Sequence, residues 1–272
     1  MHHGIRLFLA AAAFVLGMNG ACQSVAAPLS FGVLNQQSAQ LTAERWNPLL
    51  KYVEEKSGVT LQLKMGPTVL ETDAMMGRGE FDFMFTNHNF QREYDKVGYR
   101  VIARWAGDPI RCAFVVTEDS TISKLEDLNG KSVAYPSADA FVAYAVPTVT
   151  LNRKGIKEVE VFAGNQDGAL AQLKFKRVDA AAVNSRFLKQ YSERNSVRFK
   201  VIHESDGYPD LAIIAHPRIS AEIVEKVRQA FLAMKHDPSA AEMLAKANSK
   251  GFDPATNRDY EGVRSIYHAV GQ

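Results

Sequence analysis

The sequence predicts an α/β protein of two lobes, each a mainly parallel sheet flanked by helices, joined by two hinge crossings. Three observations predict it. Strand and helix patterns alternate from Leu29 onward, as expected of parallel strands connected through helices. The stretch from about Thr117 to Ile202 carries a complete α/β pattern of its own, and so does the region before it. Extended segments near residues 106–117 and 202–211 lead into and out of that stretch, so the second lobe reads as an insertion. The expected boundaries are 1–26 for an export segment, 27–112 with 208–272 for the first lobe, and 113–207 for the second.

Each element has a local reason. Leu29 to Leu34 reads as a strand. Trp46, Leu49, Leu50 and Val53 share one helical face, with Asn47-Pro48 capping or kinking its start and Gly58 ending it. Val59, Leu61, Leu63 and Met65 alternate with polar residues, a second strand. Val69 to Met76 is helical, broken by Gly77 and Gly79, and Phe81 to Phe85 is an apolar strand. A helix over Asn89 to Lys96 and an extended Tyr99 to Trp105 follow. Strands are expected at Cys112 to Thr117, Ser132 to Tyr135, Val159 to Phe162 and Ala180 to Val183. Between them lie a short helix at 124–131, a longer one over Ala140 to Arg153 perturbed by Pro147, and a third over Asp167 to Phe175. Ile202 and Leu211 to Ala215 are extended, and the C-terminus is helical over Ser220–Met234, Ser239–Ala247 and Tyr260–Val270.

The first residues read as a secretory signal: Arg6, an apolar run from Leu7 to Leu16, then small residues with Ser24 and Ala26 before a cleavage point. The run is short of the ~20 residues that a membrane span needs. An alternative is a lipoprotein anchored at Cys22, behind the weak lipobox Asn19-Gly20-Ala21. The chain is thus expected in the periplasm. Its formal charge of +2 falls to about +1 without residues 1–26, which hold Arg6 and no acid. A nearly neutral chain without basic runs argues against a nucleic-acid partner. Two cysteines, Cys22 and Cys112, leave no disulfide once the first is removed or lipidated. The histidines of the mature chain, His88, His203, His216, His236 and His268, show no metal-type spacing. No nucleophile elbow, zinc-protease helix, phosphate-binding loop or dinucleotide fingerprint is present. Neither a cofactor nor an enzymatic reaction is expected.

Several segments, taken in order, carry a resemblance. They are Phe31-Gly32-Val33, Trp46-Asn47-Pro48-Leu49, Gly79-Glu80-Phe81-Asp82-Phe83 and Asp119-Ser120-Thr121-Ile122, then Leu125 to Ala134, Gly164-Asn165-Gln166-Asp167 and Val178 to Val183. Together they resemble the PhnD-like family of phosphate, phosphite and phosphonate-binding subunits of ABC importers. The resemblance implies a type II periplasmic-binding fold, a monomer whose lobes close on a small ligand for an ABC permease. It also implies a site. Family members carry a hydroxyl-rich stretch after the strand matching Ser132 to Tyr135, and a histidine beside the acid matching Asp167.

This chain departs at both places. It has Ser137 and Asp139 in the first and Gln166 in the second. A carboxylate ~4 Å from a phosphonate oxygen costs ~4 kcal/mol at an effective dielectric of ~20, about a thousandfold in affinity. If Asp139 instead caps the helix and faces away, that cost disappears. Gln166 donates a hydrogen bond but carries no charge. Both changes favour a neutral, weakly charged or zwitterionic ligand. Other candidates lie at strand ends: Asn35 and Gln36, then Thr86, Asn87 and His88, then Asn184, with Tyr208 on the return crossing. Cys112 reads either as a buried small residue or as a thiol for arsenite. The second fits a sensor that presents its closed form to a membrane histidine kinase.

Overall fold

The computed structural model describes residues 1, 27–34, 38–86, 90 and 92–271. The proposed export segment, residues 2–26, lies outside them. No helix among the described residues is long and apolar enough to cross a membrane.

The chain opens with β1 (Leu29–Val33), α1 (Ala39–Ser57), β2 (Leu61–Lys64), α2 (Val69–Gly77), β3 (Phe83–Thr86), α3 (Arg92–Asp95) and β4 (Arg100–Trp105). Next come β5 (Cys112–Thr117), β6 (Ser132–Tyr135), a π-helix over Phe141–Ala145 running into α4 (Val146–Arg153), β7 (Val159–Phe162), α5 (Gln166–Lys174), β8 (Ala180–Asn184), α6 (Ser185–Asn195) and β9 (Phe199–Glu204). The chain closes with β10 (Ala212–Ala215), α7 (Ala221–Ala233), α8 (Ala241–Lys246), β11 (Phe252–Pro254) and α9 (Glu261–Val270). One sheet has the order β11-β4-β10-β3-β1-β2 and the other β7-β6-β8-β5-β9. Both are mixed. In the first, β1 to β4 point one way while β10 and β11 oppose them. In the second, only β5 opposes the rest. The strands with neighbours on both sides are the most buried: β3, β8 and β10 are buried at every residue, as apolar strands covered on both faces must be.

Two local expectations need correction. Pro48 does not open α1. The helix starts at Ala39, where the Ser38 hydroxyl accepts the Leu41 N–H, and it runs through Pro48. Buried Trp46, Leu49, Leu50 and Val53 hold it against the sheet, which offsets the ~3 kcal/mol that an internal proline costs. The helix over 140–153 is not a continuous α-helix: Ala145 N–H bonds the Ala140 carbonyl, five residues back. Pro147 has no N–H to offer Ala143 in an α ladder, so the wider turn falls just before it.

The same clip closes the amino end of each sheet. In the first, Asp82 accepts from both the Ser30 N–H and the Ser30 hydroxyl at 2.8 Å. In the second, Asp179 accepts from the Ser132 N–H at 2.9 Å and its hydroxyl at 2.7 Å. Those Ser132 bonds hold the Asp179 carboxyl below its usual range. A carboxylate with a lowered folded pKa stabilises above the unfolded value, and that stability is lost as pH falls through the folded one. Asp179→Ala is therefore expected to cost about 1 kcal/mol at pH 7. The gap to the unmodified chain should close below about pH 4. Melting curves across pH check it, and a gap that stays constant down to pH 2 would contradict the assignment.

The crossings between the sheets run over residues 106–111 and 205–211. They bond each other through Ile110 and Tyr208, N–H to carbonyl both ways at 2.8 and 2.9 Å. A single hydrophobic cluster spans both sheets here. It takes Tyr260, Val263, Ile266 and Tyr267 at the start and along α9 together with Phe141, Val142 and Val149. Phe141 and Tyr267 lie 5.1 Å apart, ring centre to ring centre.

Candidate functional site

Loops at the carboxyl ends of the strands present polar groups to a ligand in an open α/β sheet. Strand register shows where those ends meet. Thr86, the last residue of β3, lies opposite Ala212, so the return crossing enters the first sheet at its carboxyl end. Cys112 lies opposite Asn184, the last residue of β8, so the outgoing crossing enters the second sheet at its carboxyl end too. Both short crossings join carboxyl end to carboxyl end. Both sheets thus turn their carboxyl ends toward the Ile110–Tyr208 pair, where a ligand cleft is expected in a fold of this kind.

The loop after β6 holds Ser137 and Asp139. The Ser137 carbonyl accepts the Ala140 N–H at 3.3 Å, closing a turn with Asp139 exposed on it. The residue at the helix cap is Ala140, with no side-chain capping bond. Asp139 therefore does not cap the helix. A π turn bonds each N–H five residues back, so its first five donors have no acceptor within the helix.

The loop after β7 brings Gln166 to the end of β8. Asn165 caps α5 by accepting the Gly168 N–H at 2.8 Å, and a side chain at Gly168 would collide with the Ala163 carbonyl. Gln166 opens the helix, and its Oε1 accepts the Asn184 N–H at 3.0 Å. That leaves its amide NH₂ as the group it can offer a ligand. Asn184 in turn caps α6, accepting the Arg186 N–H at 2.9 Å. At the rim, Phe162 is 47% exposed, with the Tyr144 ring 5.1 Å away.

Tyr208 packs edge-on against Phe141, 5.1 Å between ring centres. Its burial, with Asp206 nearby, raises its phenol pKa. Thr86 is wholly buried. Cys112 is wholly buried as well, within the apolar cluster shared by both sheets. Burial first, and Glu204 second, push its thiol well above the ordinary range. Asn35, Gln36, Asn87 and His88 lie outside the described residues. Among the described candidates, the fold brings Gln166, Asn184 and Cys112 to one strand end and Tyr208 to the return crossing, with Ser137 and Asp139 in a separate loop.

Sequence reasoning missed one pair. Arg186, in the first turn of α6, donates from Nη1 to Asp210 Oδ2 at 2.8 Å. Asp210 lies on the return crossing, and its Oδ1 accepts the Leu211 N–H at 2.9 Å. The one signal, a cation in a helix's first turn, where it opposes the helix dipole, needs α6 to be recognised first.

The family described as "ABC transporter, phosphonate, periplasmic substrate-binding protein" matches residues 31–260. Solved structures of similar fold include a Xanthomonas citri protein bound to ATP, 17% identical with a TM-score of 0.75 over 89% of this chain and 96% of that one. PhnD1 from Prochlorococcus marinus in complex with methylphosphonate is 18% identical, with a TM-score of 0.72 over 89% and 98%. A binding-protein component of an ABC phosphonate transporter from Pseudomonas aeruginosa is 19% identical, with a TM-score of 0.66 over 88% and 85%. These likenesses show the type II periplasmic-binding fold. With the family match running from β1 to the start of α9, the chain belongs to the periplasmic substrate-binding proteins of phosphonate-type ABC transporters.

Proposed function

We propose that the chain captures a small zwitterion, rather than a simple phosphonate, in the cleft between its sheets and hands it to an ABC permease. Asp139 carries this reading. It stands exposed in the loop after β6, free of the capping role that would explain it structurally. A carboxylate there attracts a ligand's ammonium group and repels an oxyanion. Gln166 supports the reading, because it can add a neutral donor but no positive charge. Relatives of the same fold were determined with methylphosphonate and with ATP. Both ligands are anions, and Asp139 works against either.

The arsenite-sensor reading finds no support in Cys112. Thiophilic ligands need an accessible thiolate, and this thiol is wholly buried with its pKa raised.

A ligand that binds only the folded state adds ~2.7 kcal/mol at a hundred times its dissociation constant, a rise of several degrees in a chain of this size. A thermal-shift panel of methylphosphonate, phosphate, phosphite, 2-aminoethylphosphonate, β-alanine and arsenite is therefore sufficient. The two zwitterions are expected to raise the midpoint, and the simple anions and the uncharged arsenite to leave it unmoved. The reverse order would overturn the reading.

A further inference from the structure

We infer that Arg186 is a specificity-determining residue of the cleft, which receives the oxyanion end of the ligand while Asp210 holds it in place. The inference rests on the zwitterion reading and supplies its missing half. Asp139 accounts for an ammonium group, but among the described candidates read from the sequence none carries a positive charge for the opposite end.

The position follows from the topology. Arg186 comes two residues after the carboxyl end of β8. Asp210 comes two residues before β10, which starts opposite the carboxyl end of β3. Their ion pair therefore joins the two strand-end faces that bound the cleft. Exposure is lopsided: the Asp210 side chain is 8% exposed and that of Arg186 is 45%. The carboxylate is withdrawn into the structure and the guanidinium presents an open edge.

The holder is rigid. Asp210 Oδ1 is fixed by the Leu211 N–H at 2.9 Å, and its carbonyl accepts the Tyr260 hydroxyl. The second anchor of Arg186, from Nη2 to the Asp108 carbonyl, is 3.5 Å long and weak. A guanidinium has five donors in a planar fork. One is used firmly and one loosely, so an edge remains for a carboxylate or phosphonate to meet with paired hydrogen bonds. A donor already immobilised loses little further freedom on binding.

The test compares probes that share an ammonium group and differ in the oxyanion. These are 2-aminoethylphosphonate, β-alanine and ethanolamine, which has no oxyanion, with methylphosphonate as the anion alone. The unmodified chain is expected to prefer at least one zwitterion to ethanolamine. Whichever of the two binds tighter identifies the oxyanion as phosphonate or carboxylate. Arg186→Gln should lose about thirtyfold or more of that preference without changing ethanolamine binding, and Arg186→Lys should recover part of it. Asp210→Asn should cause a smaller loss for both zwitterions. Melting midpoints of the free variants show that they are folded, and loss of discrimination against ethanolamine is a readout that a purely structural role would not move. A folded Arg186→Gln that discriminates as well as the unmodified chain overturns the inference, as does failure of all three oxyanion-bearing probes to bind. If methylphosphonate binds tightest and Arg186→Gln abolishes it, the zwitterion reading fails and the role of Arg186 stands.

Discussion

Asp139→Ser is expected to strengthen methylphosphonate binding by about tenfold to a hundredfold. The full Coulomb cost of a carboxylate beside an oxyanion is ~4 kcal/mol at ~4 Å and an effective dielectric of ~20. Asp139 is exposed, so water screens part of that repulsion, and the recoverable share is nearer 1–3 kcal/mol, or about tenfold per 1.4 kcal/mol. Serine also returns a hydroxyl donor to the loop beside Ser137, at the mouth of a helix whose first N–H groups favour negative charge. The substitution should leave the fold alone, since Asp139 makes no capping bond whose loss would cost stability. Affinity for 2-aminoethylphosphonate should fall, because its ammonium loses a partner. Titration calorimetry reads both changes. If neither ligand responds to the substitution, Asp139 does not face the cleft.

Tyr260→Ala is expected to lower stability by about 3–5 kcal/mol. The ring is wholly buried, stacked 4.5 Å from Phe90 on the first-sheet side, within the cluster shared with Phe141 and Val142 of the second. Its hydroxyl donates to the Asp210 carbonyl, so the truncation also loosens the crossing that positions Arg186. A loss of this size lowers the melting midpoint by roughly 10 °C in a chain of this length. Tyr260→Phe keeps the ring and removes only the hydroxyl, so it should cost about 1–2 kcal/mol. It should weaken ligand binding out of proportion to that small destabilisation. Equal effects of the two variants on the midpoint would show that the hydrogen bond, not the packing, carries the position.

Most of the fold was legible because its pattern is local. β5 and β6 match the expected strands residue for residue, since short apolar runs bounded by turn residues leave few alternatives. The errors are physical. Pro48 looked like a boundary, and the buried face of α1 overrides it. α6 was missed because its apolar stripe is only Phe187, Leu188 and Tyr191 among polar and charged neighbours. β11 was missed because it is three residues long and ends in proline. The reversed directions of β5 and β10 follow from the crossings and leave no trace in a strand–helix alternation.

The site was legible in a different measure. Asn184 could be named because it ends a strand, and Gln166 because the resemblance places a histidine at that position. Their mutual hydrogen bond could not be read, and it changes what Gln166 can offer. Arg186 and Asp210 are separated by β9 and the return crossing, and no spacing rule pairs them. Cys112 attracted a chemical reading by being unpaired, but burial removes it from the reactive thiols.

On the proposed function, this cleft selects a zwitterion over a simple phosphonate. Side-by-side calorimetric titration of the mature chain with 2-aminoethylphosphonate and methylphosphonate tests it most directly. The zwitterion should bind at least about a hundredfold more tightly, a difference of ~2.7 kcal/mol. Submicromolar methylphosphonate binding, equal to or tighter than that of the aminophosphonate, would contradict it.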